Sequence, residues 1–266
     1  MKEHRLVIVY SCLILLLGSC NESPQEQASQ DGIKIGDLAP VRTSGIPDRR
    51  LKSMEFDCYT FELPAENIEQ LTDIWQILST EPIHFSNQQA FTENSLAIGF
   101  SRIDTWDTAA ELLRSAGAKK VATTALLLSS EQQNDIPMMS LTRYKDIRYL
   151  DTDLSLKSFT ARPGQIVLRL KAKKIAGKRG VCNFYGKVVF VPKAKPNFPV
   201  PENSPLGEFS FKTTGFGLRT SPGDLLLLGP TRHVTDKKAL VNIFFNTTGL
   251  KPTVRLYMLF CAGIYD

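Results

Sequence analysis

Apolar and polar positions along this chain follow three successive patterns. Residues 6–17 (LVIVYSCLILLL) form an unbroken apolar run. After a polar stretch, alternation at 54–63 places Tyr59, Phe61 and Leu63 on one face of a strand, which Pro64 ends. Ile68, Leu71, Ile74, Trp75 and Leu78 then recur every three or four residues, predicting a helix with Trp75 in the core. Glu66 and Glu69 suit its first turns through the helix dipole. A connection at 79–89 leads to a short apolar strand at 96–100. A second helix is expected to start with Asp104 as its cap, bury Trp106, Ala109, Ala110 and Leu113, and stop at Gly117. Residues 121–128 read as a buried strand. Residues 53–130 therefore predict β-α-β-α-β, a small α+β module with both helices on one face of its sheet.

Beyond Ser129 the helical period disappears and strands recur between turn signals, at 141–144, 147–150, 154–159, 165–173 and 181–191. In the cleanest of these, Ile166, Leu168, Leu170 and Ala172 share one face, and Val167, Arg169, Lys171 and Lys173 the other. Gly177-Lys178-Arg179-Gly180 makes a basic tip, and proline-rich 193–205 divides the region. Phe209 and Phe211 open a further strand, and Ser221-Pro222-Gly223-Asp224 is a turn into apolar 225–228. Residues 239–245 read as a strand, and Val254, Leu256, Met258 and Phe260 alternate in the last one. The fold class expected is α+β, with a β-rich, sandwich-like domain over 131–266.

The opening run is about a dozen residues long, follows Lys2 and Arg5, and is too short to span a bilayer, so it reads as an export leader. It ends in Leu17-Gly18-Ser19-Cys20, which resembles the lipobox of bacterial lipoproteins. That resemblance implies a diacylglycerol on the Cys20 thiol, cleavage after Ser19 and acylation of the new amino terminus. Asn21, where inner-membrane lipoproteins of many Gram-negative bacteria carry aspartate, implies the outer membrane. The alternative is an ordinary secretory leader that contains a cysteine. Residues 1–19 are then the signal peptide, and 20–52 the lipidated cysteine with a flexible polar tether.

Composition suits an exported folded protein, with 42% hydrophobic and 22% charged residues. The net charge of +5 falls by one when Lys2, Glu3 and Arg5 leave, too mild to imply nucleic acid. Cys58, Cys182 and Cys261 remain in the folded part without metal-site spacing. They are either three buried free thiols or one bridge and one thiol.

The layout is also similar to the secretins, outer-membrane pore subunits of bacterial secretion systems. The likeness lies in a βαβαβ module before a β domain and in the run Pro222-Gly223-Asp224-Leu225-Leu226-Leu227-Leu228-Gly229, followed by a polar stretch and a terminal alternating strand. Gly229-Pro230 stands where secretins carry a glycine pair, and secretins are longer chains with several N-terminal modules. The resemblance implies an architecture and transfers no functional residue.

Catalytic signatures are absent from the sequence: there is no nucleophile elbow, Walker loop or dinucleotide fingerprint, and no cofactor or metal is expected. His84 and His233 lie in expected loops, and Asp151-Thr152-Asp153 reads as a turn before Leu154. Lys171, Lys173, Lys174, Lys178 and Arg179 form the densest charge, either a binding patch for anionic headgroups or an acidic partner, or the solvated face of a hairpin. The function expected is binding, scaffolding or assembly by a lipid-anchored envelope protein, with the membrane and an envelope protein or glycan as partners. The alternatives are an envelope hydrolase using scattered His84, His233, Asp151 and Asp153, and a secretin-like oligomer subunit.

Overall fold

A computed structural model describes residues 53–193, 207–247 and 251–265. The expected leader, Cys20 and the tether lie outside the described residues, as does most of the proline-rich 193–205.

The strands are β1 (Ser53–Pro64), β2 (His84–Phe85), β3 (Leu96–Arg102), β4 (Lys119–Ser129), β5 (Gln133–Leu141), β6 (Lys145–Leu150) and β7 (Leu156–Ala161). They continue with β8 (Gly164–Lys174), β9 (Cys182–Pro192), β10 (Phe209–Ser210), β11 (Phe216–Thr220), β12 (Asp224–Pro230), β13 (Asn246–Thr247) and β14 (Thr253–Ile264). Four short helices, α1 (Thr72–Ile77), α2 (Gln88–Glu93), α3 (Trp106–Ser115) and α4 (Leu240–Phe245), join them. Every ladder between the named strands is antiparallel.

The first sheet runs β3-β12-β14-β1-β4. Here the structure departs from the expected βαβαβ module: β1, β3 and β4 do not form a sheet of their own, because β12 and β14 stand between β1 and β3. Residues on both sides of position 130 share this sheet. The physical reason is the length of β14. Its twelve residues are buried on both faces at Leu256, Tyr257, Met258 and Leu259, so they need a strand on each side and a layer above and below. Glu62 of β1 faces Arg255 of β14 in register, and the two side chains pair at 2.7 Å. Both tryptophans lie against the sheet, Trp106 beside Phe61 and Trp75 against Gly229 of β12. The predicted first helix begins as a 3-10 turn at Ala65–Leu71 before α1.

The second sheet runs β2-β11-β9-β8-β5 and meets the first where Phe56 of β1 stacks 4.6 Å from Phe184 of β9. The hairpin β6-β7 closes one flank through an aromatic column. Tyr149 and Phe159 from the hairpin surround Phe211, which reaches Phe244 of α4, and Phe245 continues to Tyr257 of β14.

Several elements differ from the sequence expectation: the strand expected at 141–144 ends at Leu141, the last residue of β5, and Asp104 lies in a 3-10 turn, Ile103–Thr105, ahead of α3 and does not cap it. Residues 240–245 are helix, because an apolar run this short carries no period that separates helix from strand. All but Asn242 are buried there. The strand at 119–129 is mostly exposed, with only Leu126 and Leu128 buried, because it forms the sheet's edge. Cys58, Cys182 and Cys261 are all free and buried.

Candidate functional site

The outer face of the second sheet carries a groove of about 400 Å³. Strand alternation builds it. On β9, Phe184, Gly186 and Val188 turn inward, leaving Tyr185 and Lys187 outside. On β8, the inward set Leu168, Leu170 and Ala172 leaves Arg169 and Lys171 outside, as the sequence alternation predicted. Ladder register then aligns Gln133, Lys171, Tyr185, Gly217 and His84 in one row across five strands, all lining the groove. A parallel row sets Asp135, Arg169 and Lys187 side by side.

Glycine decides the shape at two places. A Cβ on Gly217 would lie 2.8 Å from the Tyr185 ring, so the bare backbone lets that ring lean over β11. Tyr185 remains 43% exposed, a broad apolar surface open to solvent. A Cβ on Gly215 would lie 2.3 Å from the Ser86 hydroxyl, so that glycine lets the 84–86 segment approach, held by Ser86 N–H donating to Gly215 O at 2.9 Å.

The charges are organised as pairs. Arg169 donates two hydrogen bonds of 2.7 Å to the Asp135 carboxylate and further bonds to Glu208. Those carboxylates, Asp135 first and then Glu208, push the guanidinium's pKa upward, and Arg169 in turn holds Glu208 below the usual carboxylate range. Glu131 accepts from Lys171 and, at 2.8 Å, from Lys173, which brings its pKa down to about 2. Exposed pairs of this kind add little stability, because solvent screens them. Their effect is geometric: they fix donors and acceptors around the aromatic ring.

The five basic residues singled out in the sequence do not converge. Lys171 and Lys173 share the outer face and Glu131. Lys174, one residue on, points the other way and donates to the Tyr265 carbonyl. Lys178 and Arg179 sit at the hairpin tip, where Gly177 and Gly180 take positive φ of 75° and 64°. Sequence reasoning missed Tyr185, Lys187 and Gln133 as site residues. The alternation of 183–188 carried the signal for the first two, whereas Gln133 joins only through strand register.

Of the other chemical candidates, His233 is exposed in the loop after β12, while the aspartates and the thiols have structural places. Asp151 and Asp153 form the β6-β7 turn: Leu154 N–H donates to Asp151 O, and Ser155 N–H donates to the Asp153 carboxylate at 3.0 Å. Lys157 donates to Asp151 at 2.7 Å and lowers its pKa. Burial pushes the Cys58 and Cys182 thiols up to about 12 and Cys261 upward too, so all three stay protonated at neutral pH. Among the described residues, no three His, Cys, Asp or Glu side chains converge as a metal-binding group.

No protein-family model matches this chain, and no curated protein matches it. Solved structures similar to it include the secretin-domain β-barrel of InvG from the Salmonella SPI-1 injectisome. That likeness has 12% identity and a TM-score of 0.27, covering 81% of this chain and 64% of that one. A near-atomic-resolution cryo-EM structure of the InvG secretin has 13% identity and a TM-score of 0.26, over 81% and 65%. The basal-body model of InvG, PrgH and PrgK has 13% identity and a TM-score of 0.26, over 81% and 46%. This chain spans less than two thirds of each of those chains. The likeness is distant, and the function proposed below rests on the groove.

Proposed function

We propose that this chain is a lipid-anchored envelope protein that works by binding, and that its groove recognises an uncharged stretch of envelope glycan. The anchor is Cys20, within Leu17-Gly18-Ser19-Cys20. The observation that carries the reading is the exposed Tyr185 ring set in register between Lys171 and Gly217, with Arg169 fixed beside it.

Two ligand classes compete for such a surface. A polyanion would seek unpaired cations, but Asp135, Glu208 and Glu131 already occupy Arg169, Lys171 and Lys173, which leaves Lys187 as the lining cation outside these pairs. Binding it would mean displacing three carboxylates held on the same face. A sugar brings no charge to compete. The C–H face of a pyranose packs on an aromatic ring, and vicinal hydroxyls need adjacent donors and acceptors held at fixed spacing. The Arg169 guanidinium, held in place by its carboxylates, and the Gln133 amide line the groove and supply these.

The test crosses two variants in one sedimentation experiment with the full chain, native membranes and purified insoluble cell-wall glycan. Cys20→Ser is expected to leave the membrane fraction while keeping glycan retention. Tyr185→Ala is expected to stay with membranes and lose roughly tenfold in glycan affinity, on the order of 1.4 kcal/mol. Retention should be indifferent to salt, because screening weakens only charge-driven binding. Retention that collapses in high salt, or survives Tyr185→Ala unchanged, would refute the groove reading.

A further inference from the structure

Cations gather at one end of the sheets, beside the point where the chain enters them. Ser53 opens β1, and its carbonyl accepts from Tyr265 N–H at 2.8 Å. The Tyr265 carbonyl in turn accepts from Lys174, the last residue of β8. A second path closes the same corner: Ser53 lies in register with Ser129 of β4, and Glu131 N–H in the turn beyond donates to Ala172 O of β8 at 3.0 Å. Chain entry and the tip between β8 and β9 therefore share one end.

That tip projects. Lys178 N–H donates to Ile175 O at 3.1 Å, closing a tight turn, and Gly177 and Gly180 supply the positive φ it needs. A Cβ on either glycine would meet nothing within 4 Å, so open space surrounds the turn. Lys178 and Arg179 at its apex are exposed, and among the described residues no ion pair takes up either one. Carboxylates at this end are engaged elsewhere, Glu131 by Lys171 and Lys173, and Glu55 by the Tyr265 hydroxyl at 2.9 Å. In sequence, Arg49, Arg50 and Lys52 run up to the same corner.

We propose that this tip docks on the anionic phospholipid headgroups of the membrane that holds the chain, a reading that rests on the Cys20 anchor proposed above. Thirty-two residues separate Cys20 from Ser53, and a free coil of that length has an r.m.s. reach of about 30 Å. The twelve residues of β1 span roughly 36 Å, so the entry end meets the bilayer first, and the far end meets it only if the body turns over. A headgroup layer repeats negative phosphates across a surface, so two projecting cations find counter-charges there without a shaped pocket. An acidic protein would need a complementary surface, which a two-residue apex does not offer. Two cations alone bind a membrane too weakly to hold a free domain; the lipid supplies attachment and the tip sets orientation.

The test uses the full chain purified from native membranes and reconstituted on vesicles of phosphatidylcholine, alone or with a third phosphatidylglycerol, each carrying a headgroup-labelled acceptor lipid. Cys58, Cys182 and Cys261 are buried, so a thiol dye selects an introduced cysteine. Ala176→Cys places it in the exposed turn, and Gln70→Cys places it beyond the far end of β1, also exposed. On anionic vesicles, energy transfer from position 176 is expected to exceed that from position 70. It should fall to that lower level on neutral vesicles, in high salt, or when Lys178→Glu and Arg179→Glu are added. Transfer from 176 that never exceeds that from 70, that ignores lipid charge, or that survives the paired glutamates would overturn the docking and leave the anchor standing. A chain that does not float with neutral vesicles would refute the Cys20 anchor, and the docking with it.

Discussion

Phe211→Ala is expected to cost about 3–5 kcal/mol of folding stability, the range for truncating a fully buried aromatic residue. Phe211 is 0% exposed and sits where four aromatic rings meet: Phe209 at 5.1 Å, Phe244 at 5.3 Å, and Tyr149 and Phe159 both at 5.5 Å. Those rings come from the hairpin, β10 and α4, so the cavity cannot close by moving one neighbour. Three of the contacts are edge-on, a geometry that adds attraction beyond area. The main chain there is also committed, since Phe211 N–H donates to Val188 O at 3.1 Å and Thr214 Oγ1 donates to Phe211 O at 2.7 Å. Urea denaturation checks this, with a midpoint lowered on the order of 1–2 M. A loss below about 1 kcal/mol would show that the column does not hold the hairpin to the sheets.

Asn94→Leu comes next, at about 2–4 kcal/mol, although it keeps the side chain's volume. Its cost is polar. The buried amide of Asn94 donates to Ala90 O at 2.7 Å and to Leu150 O at 2.8 Å, and its carbonyl accepts from Leu150 N–H at 2.9 Å. One side chain thereby replaces a strand partner for both backbone groups of Leu150, at the end of β6. Leucine would leave those groups unpaired, and an unsatisfied buried group costs about 1–3 kcal/mol. Thermal unfolding of the variant and faster amide exchange at 145–150 are the readouts. Unaltered exchange there would mean that water replaces the amide freely.

These two residues also show what local sequence can carry. The alternation on β8 was legible because one strand with one buried face states its own pattern, and Arg169 and Lys171 stand where that pattern put them. The turn at 151–153 was legible for a similar reason: aspartate bonds to its own neighbourhood, and does so here. The groove was not legible as a whole. His84 and Gly217 are separated by more than a hundred residues and meet only through ladder register, which no local window contains. The same limit hid the sharing of the first sheet, since β14 inserts beside β1 from the far end of the chain.

Edges are a further case. Residues 121–128 look like a core strand because apolar content cannot say which side of a strand is paired. The contrast between buried Leu126 and Leu128 and open Val121 and Leu127 emerges only once β1 is in place on one side. The helix at 240–245 was misread as a strand for want of length, as its buried Leu240, Val241, Ile243, Phe244 and Phe245 suit either element.

The groove is tested most directly by amide NMR of the Cys20→Ser chain titrated with a soluble, uncharged oligosaccharide cut from cell-wall glycan. Shifts should concentrate at His84, Gln133, Lys171, Tyr185 and Gly217, the row that crosses the five strands. Saturable shifts centred elsewhere, or none at millimolar sugar, would contradict the assignment of this face to glycan recognition.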